Sequence, residues 1–366
     1  MNARQRLLAV LNSKKPDAVP WLADLDYWLG YMRCENLLAE HYQGDGIFKL
    51  HRDIGAGFYL QGYFPFTARH EGVRVSQREE GDRRVCVVET PFGNLRQVEA
   101  YLAASYCWAY SEHCVRSWRD LRALRYWYEH TFYEPDYARA QERRDLIGDN
   151  GIVLCYLPKS PLMELVALLA GIETVTYALL DAPDELAQTI AVLEKKADEA
   201  AAIAVASPAE ALMIPENLSS EVVGKKLFKQ YMEPYERRWV GRIRVAGKLS
   251  FVHMDGRLRG LISEVAATGF DVLEALTPAP VGDVPLAELA DLVPPGTTIW
   301  GGLPGVYFTD LVSDAEFDRF VIETLRVMRR EPRYVLGVAD QVPPMARWER
   351  IQRVSELLED HGRYEV

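Results

Sequence analysis

Short apolar runs alternate with amphipathic helical segments from about residue 150 to about residue 361. In the segment 183–206, for example, Leu186, Ile190 and Leu193 recur at helical spacing. Strands that alternate with helices predict a parallel sheet whose connecting loops meet at one end. The predicted strands cover residues 152–156, 211–214, 249–253, 270–274, 297–300 and 334–337.

The N-terminal third contains an earlier strand and then an interruption. Residues 18–23 form a short apolar run that stops at Asp24, which is typical of a buried parallel strand. From residue 71 to about residue 100 apolar and polar residues alternate around turns at residues 80–82 and 91–94. This pattern predicts a β-hairpin or a three-stranded flap, which we expect to be an insertion over about residues 68–105.

The chain contains about seven β/α units and therefore predicts an α/β fold, an eight-stranded TIM barrel with a flap in its N-terminal third. We place the remaining strand in the less regular stretch 48–66. An open, doubly wound sheet is the alternative, but no GxGxxG or Walker A motif follows any predicted strand. No repeat or linker divides the chain, so we predict a single domain over residues 1–366.

Composition narrows the expected partners and compartment. With 42 basic and 53 acidic residues the net charge is −11, and no basic block is present, which argues against nucleic acid and membrane surfaces as partners. No stretch reaches the roughly 20 apolar residues that span a bilayer, and the N-terminal pattern is unlike a signal peptide. The five scattered cysteines are expected to be free thiols, so we predict a cytoplasmic protein.

Polar residues follow several predicted strands, where the functional residues of parallel barrels lie. The strand-end residues are Asp24, Glu216, His253, Glu274 and Asp340. Asp255, two residues beyond His253, is expected on the same face as that histidine. Carboxylates and a histidine in one cavity cannot all stay ionised without a cation or a raised pKa, so either a metal or a shared proton is expected.

A substrate pocket is predicted between the loop after the first strand and the strand end at Glu216. Its predicted lining residues are Asp24, Asp26, Tyr27, Trp28 and Asn217. Aromatic walls bind apolar groups and cations, whereas aspartates reject anions. Two alternatives remain open: Tyr27 and Trp28 would also suit a helix core, and the two aspartates would also suit a helix cap. The cysteine- and histidine-containing segment 107–114 matches no zinc spacing and is expected to pack structurally.

Several segments together resemble the uroporphyrinogen decarboxylase superfamily, in order over nearly the whole chain. They are residues 4–12, 15–20, 253–256 (His-Met-Asp-Gly), 271–278, 301–305 (Gly-Gly-Leu-Pro-Gly) and 337–344. The resemblance implies a distorted (β/α)8 barrel. True uroporphyrinogen decarboxylases carry an arginine-rich loop after the first strand, where this chain has Asp24 and Asp26, so porphyrinogen decarboxylation is not expected.

The second branch of that superfamily, the cobalamin-dependent methyltransferases, implies a metal site. There a zinc ion is held by a His-x-Cys pair, a glutamate and a late cysteine. At the matching positions this chain has His253, Asp255, Glu274 and Asp340, so carboxylates replace both cysteines. We therefore predict a divalent metal, most suitably zinc, on His253, Glu274 and Asp340. The carboxylates make this set of ligands harder than the family's set, which contains cysteine thiolates.

The resemblance implies a metal-dependent methyltransferase that moves a methyl group between a small methoxy or methylamine compound and a corrinoid. The chain lacks the Asp-x-His-x-x-Gly cobalamin motif, so the cobalamin is expected on a partner protein or in free solution. Asp255 and Glu216 are the predicted catalytic residues. Two alternatives remain: a decarboxylase of a non-porphyrin acid in which Asp255 or Asp340 handles the proton, and a non-catalytic barrel that binds a small molecule. A homodimer is compatible with the sequence.

Overall fold

The computed structural model describes residues 1–59 and 62–364. Its strands are β1 (Trp21–Leu22), β2 (Phe58–Tyr59), β3 (Phe66–His70), β4 (Arg74–Glu80), β5 (Arg83–Thr90), β6 (Gly93–Leu102), β7 (Cys107–Glu112), β8 (Thr131–Pro135), β9 (Gly151–Ile152), β10 (Leu154–Tyr156), β11 (Ala211–Leu218), β12 (Leu249–Met254), β13 (Val272–Leu276), β14 (Thr298–Pro304) and β15 (Tyr334–Ala339).

Fourteen α-helices separate and flank these strands within the described ranges. They are α1 (Ala3–Leu11), α2 (Asp26–Cys34), α3 (Gly46–Asp53), α4 (Leu121–Glu129), α5 (Ala138–Ile147), α6 (Pro161–Glu164), α7 (Gly171–Asp181), α8 (Pro183–Ala206), α9 (Lys225–Leu227), α10 (Glu233–Val245), α11 (Ile262–Ala266), α12 (Leu286–Leu292), α13 (Asp314–Met328) and α14 (Trp348–His361). Two π-helical turns, Leu165–Leu169 and Phe228–Met232, continue α6 and precede α10.

A curled parallel sheet is the centre of the fold. Seven strands pair in the order β1-β15-β14-β13-β12-β11-β10. Next to β1, the Gly57 amide donates to the Trp21 carbonyl (2.8 Å), and β2 then pairs in parallel with β9. The predicted α/β class with a parallel, TIM-barrel-like sheet is confirmed. The strand expected within residues 48–66 is the two-residue β2.

The concave side of the sheet holds its own apolar core. Alternate residues of a strand face opposite sides, so Ala211 and Met213 of β11 contribute to this inner core, whereas Leu212 and Ile214 pack under the outer helices. Trp300 fills the inner core and packs edge-on against Tyr59 and Phe251. Leu7, Val10 and Leu11 of α1 belong to the same inner core.

The interruption in the N-terminal third is an antiparallel sheet of four strands, β4 to β7. It extends to Glu112, seven residues beyond the predicted insertion and with one strand more than the sequence indicated. The additional strand, Cys107–Glu112, pairs with β6, which is why the aromatic residues of this segment pack.

All five cysteines are free thiols, as expected. Among the residues that the structure describes, no helix combines the length and the apolar character needed to cross a membrane.

Candidate active site

The C-terminal ends of β12, β13 and β15 bring a histidine between two carboxylates. His253 and Glu274 are register partners on neighbouring parallel strands, so their side chains lie side by side. His253 Nδ1 lies 2.6 Å from Glu274 Oε2, and because an ionised carboxylate only accepts, the imidazole donates this hydrogen bond. On the opposite side of the ring, His253 Nε2 lies 3.6 Å from Asp340 Oδ1. That separation exceeds a hydrogen bond and leaves Nε2 facing Asp340 across a gap.

Glu274 is held from its other side. The Tyr59 hydroxyl donates to Glu274 Oε1 (3.1 Å), and the Tyr59 ring packs against Trp300 in the inner core. Glu274 is 1% exposed, so its charge is stabilised by these two partners rather than by water. Tyr59, Glu274, His253 and Asp340 therefore form one chain of polar groups from the barrel interior to its mouth.

The carboxylates around His253 determine its charge. Burial alone would lower the pKa of His253, but Glu274, Asp340 and Asp255 outweigh burial and raise that pKa to about 9. Burial raises the pKa of Asp340 to about 6, with Glu274 and Asp255 adding to the shift and His253 opposing it. The mouth therefore presents a positively charged imidazole among carboxylates at neutral pH.

Asp24 and Asp26 lie on the β1 side of the same mouth. Asp24 is buried, and its Oδ1 accepts the backbone N–H of Asp26 at the first turn of α2 (3.0 Å), although the N-cap residue of that helix is Leu25, which provides no side-chain cap. Burial raises the pKa of Asp24 well above its ordinary value, with Asp26, Asp340 and Glu274 among the causes. Asp24 thus both bonds the start of α2 and belongs to the acidic cluster.

Of the two aromatic residues predicted to line the pocket, only Tyr27 is at the mouth. Burial, followed by the charge of Asp340, raises the pKa of Tyr27 to about 12. Trp28 is 1% exposed, donates its indole N–H to the Ala346 carbonyl (3.1 Å) and stacks on Trp348. The prediction that Trp28 lines the pocket is corrected, because α2 turns its indole into the core.

Glu216 lies in a different cluster from His253. It is fully buried, and its Oε1 accepts the backbone N–H of Ser160 (2.8 Å), which places it against the loop that leads into α6. The neighbouring charged groups are Lys159, Glu164 and Glu236. The register of β11 against β12 shifts between Ile214 and Leu218, within which Glu216 falls. Glu216 is therefore not among the groups whose charges act most strongly on His253, and its catalytic role stays a prediction.

Asn217 is exposed at the end of β11, and its Oδ1 accepts a hydrogen bond from Lys159 Nζ (3.1 Å).

Asp255 follows β12. Its Oδ1 accepts the Gly256 N–H (2.7 Å), and its charge acts on both His253 and Asp340. Asp255 therefore belongs to the acidic mouth.

Sequence reasoning missed Tyr59, Tyr156 and Gln341. Tyr59 lies in the short β2, whose pattern carries no clear strand signal. Tyr156 ends β10, and Asp24 and Glu274 contribute to the rise in its pKa; its position at the end of a predicted strand was a usable signal. Gln341 Oε1 accepts the Tyr27 amide (3.2 Å), a contact between the two ends of the chain that no local pattern indicates.

The predicted three-ligand metal set is not assembled in this arrangement. Both oxygens of Glu274 are engaged, one by Tyr59 and one by His253 Nδ1. Within residues 1–59 and 62–364, no three His, Cys, Asp or Glu side chains are grouped to hold a metal ion. His253 Nε2 and Asp340 Oδ1 remain as two donors that face each other, with Glu274 as the partner that orients the imidazole, an arrangement common behind metal-bound histidines.

The model of the uroporphyrinogen decarboxylase (URO-D) family matches residues 159–361, more than half of the chain. The curated proteins contain no match. A methyltransferase from Methanosarcina mazei has a similar structure, with a TM-score of 0.59 and 13% sequence identity over 98% of this chain and 99% of that chain. At this identity the similarity establishes the fold alone.

Proposed function

The chain belongs to the uroporphyrinogen decarboxylase family, and from that premise we propose that it is a methyltransferase. It would move a methyl group between a small methylated compound, of the methoxy or methylamine type, and a corrinoid carried by a partner protein. The observation that carries the proposal is the Glu274–His253–Asp340 arrangement, in which an oriented imidazole faces a carboxylate across the barrel mouth. The fold shared with the Methanosarcina methyltransferase supports it.

His253 is the proposed proton donor to the leaving group. The bond between the methyl carbon and the donor's oxygen or nitrogen breaks with its electron pair on that atom, which takes the proton from Nε2 when it needs one. The methyl carbon forms its new bond to the corrinoid, which supplies the nucleophile. Glu274 holds Nδ1 and stabilises the charged imidazole, and Asp255 is proposed to return a proton from solvent.

The side chains that line the mouth limit the charge of the methyl donor that can bind there. Asp24 and Asp26 place two carboxyl groups on the β1 side, where burial raises the pKa of each and Tyr27 adds an aromatic ring. The negative charge of the mouth comes from Glu274, Asp340 and Asp255 around His253. Carboxylates repel anions, whereas an aromatic ring accepts an apolar or cationic body. The proposed donor is therefore neutral or cationic, and porphyrinogen polycarboxylates are excluded from the proposal.

The corrinoid-dependent activity has a direct test. Purified protein is incubated anaerobically with reduced cobalamin and either 2-methoxyphenol or trimethylamine, and methylcobalamin is followed by its absorbance. We expect protein-dependent methylcobalamin with at least one donor. Release of CO₂ from small carboxylic acids without any methylcobalamin would instead establish the decarboxylase alternative, and neither product would refute both.

We also propose that the mouth takes a divalent metal, with zinc as the ion that suits one imidazole and carboxylates. In the metal-bound protein, deprotonated His253 Nε2 and Asp340 would hold the ion, with Asp255 nearby and Glu274 orienting the imidazole. When bound, the metal would replace the Nε2 proton as the group that assists the leaving atom of the donor, which it would polarise as a Lewis acid. Metal analysis of protein purified without chelator is expected to find zinc, and His253→Ala should lose it. Unchanged metal content in that variant would refute this site.

The remaining structural proposals concern architecture and setting. We propose that the sheet closes as a distorted (β/α)8 barrel through β2 and β9, and that residues 1–366 are one domain with the flap as its insertion. Closure is supported by the Gly57–Trp21 hydrogen bond and the β2–β9 pairing.

The five free thiols support a location in the cytoplasm, and a homodimer is the proposed assembly.

A further inference from the structure

Lys159 stands at the junction between the barrel mouth and the buried cluster behind β11. Its Nζ donates to Asn217 Oδ1 (3.1 Å) and also to the Pro215 carbonyl. Both acceptors lie in the irregular end of β11, where the register shifts. The proposed methyl transfer assigns no role to Lys159.

The segment that carries Lys159 is bound to β11 on both sides of the lysine. The Leu157 amide donates to the Met213 carbonyl, and the Ser160 amide donates to Glu216 Oε1, each at 2.8 Å. The Tyr235 hydroxyl of α10 also donates to the Pro158 carbonyl (3.1 Å). Lys159 is therefore fixed over the end of β11 and is not a mobile surface lysine.

The contact with Lys159 determines which way the Asn217 amide points. A lysine ammonium has three donors and no acceptor, so the Asn217 atom that faces it must be Oδ1. The amide Nδ2 is consequently turned away from Lys159. Asn217 is exposed, and its backbone is in the left-handed region (φ 55°), which asparagine tolerates better than most residues.

We propose that Lys159 is a positioning residue that fixes the Asn217 amide as a hydrogen-bond donor to the substrate. This inference rests on the proposed function and narrows its substrate class. A donor amide recognises an acceptor, so the methyl donor would carry an oxygen acceptor near its methyl group, as a methoxy compound does. A methylated ammonium offers no such acceptor and gains nothing from Asn217.

The test measures binding and so does not depend on methyl transfer. Calorimetry with 2-methoxyphenol compares the wild type with Asn217→Asp, Asn217→Ala, Lys159→Met and Lys159→Arg. Aspartate tolerates the left-handed backbone but only accepts hydrogen bonds, so Asn217→Asp and Asn217→Ala should both weaken binding about tenfold. Lys159→Met should weaken binding several-fold, and Lys159→Arg, which retains the donors, should restore most of it. Tetramethylammonium should bind all five proteins equally.

Thermal unfolding checks that each variant is folded, and the two Asn217 variants leave the half-buried Lys159 in place. If Asn217→Asp binds 2-methoxyphenol with wild-type affinity, Asn217 is needed only for its left-handed backbone conformation. That result would overturn the inference. Equal binding by Lys159→Arg and Lys159→Met would also overturn it, because Lys159 would then act through packing. Either result leaves the proposed function standing. Failure of the wild type both to bind 2-methoxyphenol and to form methylcobalamin would overturn the function and the inference together.

Discussion

Replacement of His253 by alanine is expected to lower the rate of methylcobalamin formation by about 10²–10⁴-fold, the range contributed by a positioned general acid. Among the described residues, His253 provides the only imidazole between Glu274 and Asp340. Neither of these two carboxylates can take over the position of the missing ring in the variant. The initial rate with saturating donor and reduced cobalamin is the measurement. The fold should persist, because the His253 side chain lies at the mouth and is not part of the apolar core.

Two further variants make this result interpretable. Glu274→Gln keeps the size of the side chain but removes the charge that stabilises the protonated imidazole, so a smaller loss is expected than for His253→Ala. His70→Ala is the matched control, because His70 Nδ1 pairs with Thr131 Oγ1 beside the flap, away from the mouth. A His253→Ala rate within tenfold of the wild type, or an equal loss in His70→Ala, would contradict the proposed role.

The predicted site residues that the structure brings together share one feature, a position at the end of a strand. His253 and Glu274 end neighbouring apolar runs that keep register with each other, so the rule that barrel strands end at a common mouth brings them together, although β13 shifts register against β14 at Glu274. Asp340 follows β15 in the same way. Regular alternation of strands and helices made this part of the fold predictable from local pattern alone.

The structure places the side chains of Glu216 and Trp28 elsewhere than expected, because the direction of each depends on tertiary contacts that the local sequence does not show. Glu216 falls in the register shift of β11, and the shift takes its carboxylate to the Ser160 loop. Trp28 follows a strand as a pocket residue would, but its indole meets Ala346, more than 300 positions away in the chain. Side-chain direction at irregular points is decided by tertiary contacts.

The hydrogen bond between Tyr59 and Glu274 shows a second limit of prediction from the sequence. β2 has only two residues, too few for a periodicity, so the strand could be expected only somewhere within residues 48–66, and the role of Tyr59 beside Glu274 was not visible. The flap was predicted because alternation persists over many residues, and its last strand was missed because Cys107–Glu112 lacks a clear alternation of apolar and polar residues. The candidate site could therefore be predicted in its location but only in part in its contacts.

Glu216 should make the protein less stable as the pH rises from about 5 to 8. Burial raises the pKa of Glu216 to about 7, with Glu164 adding to the rise and Lys159 and the Ser160 hydrogen bonds opposing it; its ordinary value is 4.5. Glu236, both of whose oxygens lack a described partner, has its own pKa raised by burial and by Glu216. The folded state therefore holds a proton that the unfolded chain releases.

The direction of the effect follows from linkage between protonation and folding. Between the unfolded and folded pKa values the folded state binds more protons, so the free energy of unfolding falls as the pH rises through this window and levels off above it. A difference of this size corresponds to about 3 kcal/mol. Glu216→Gln removes the titrating group but retains an oxygen for the Ser160 amide. We expect the variant to match the wild type near pH 5 and to exceed it by about 3 kcal/mol at pH 8.

Urea unfolding of both proteins at pH values from 5 to 8 measures this difference, and other titrating groups cancel in the comparison. Glu173→Gln, which changes an exposed carboxylate on α7, should follow the wild-type profile. Parallel profiles for Glu216→Gln and the wild type would show that Glu216 titrates alike in the folded and unfolded states. That result would mean that Lys159 compensates the Glu216 charge fully, and the two would then form a buried ion pair behind β11 instead of a neutral acid beside a lysine.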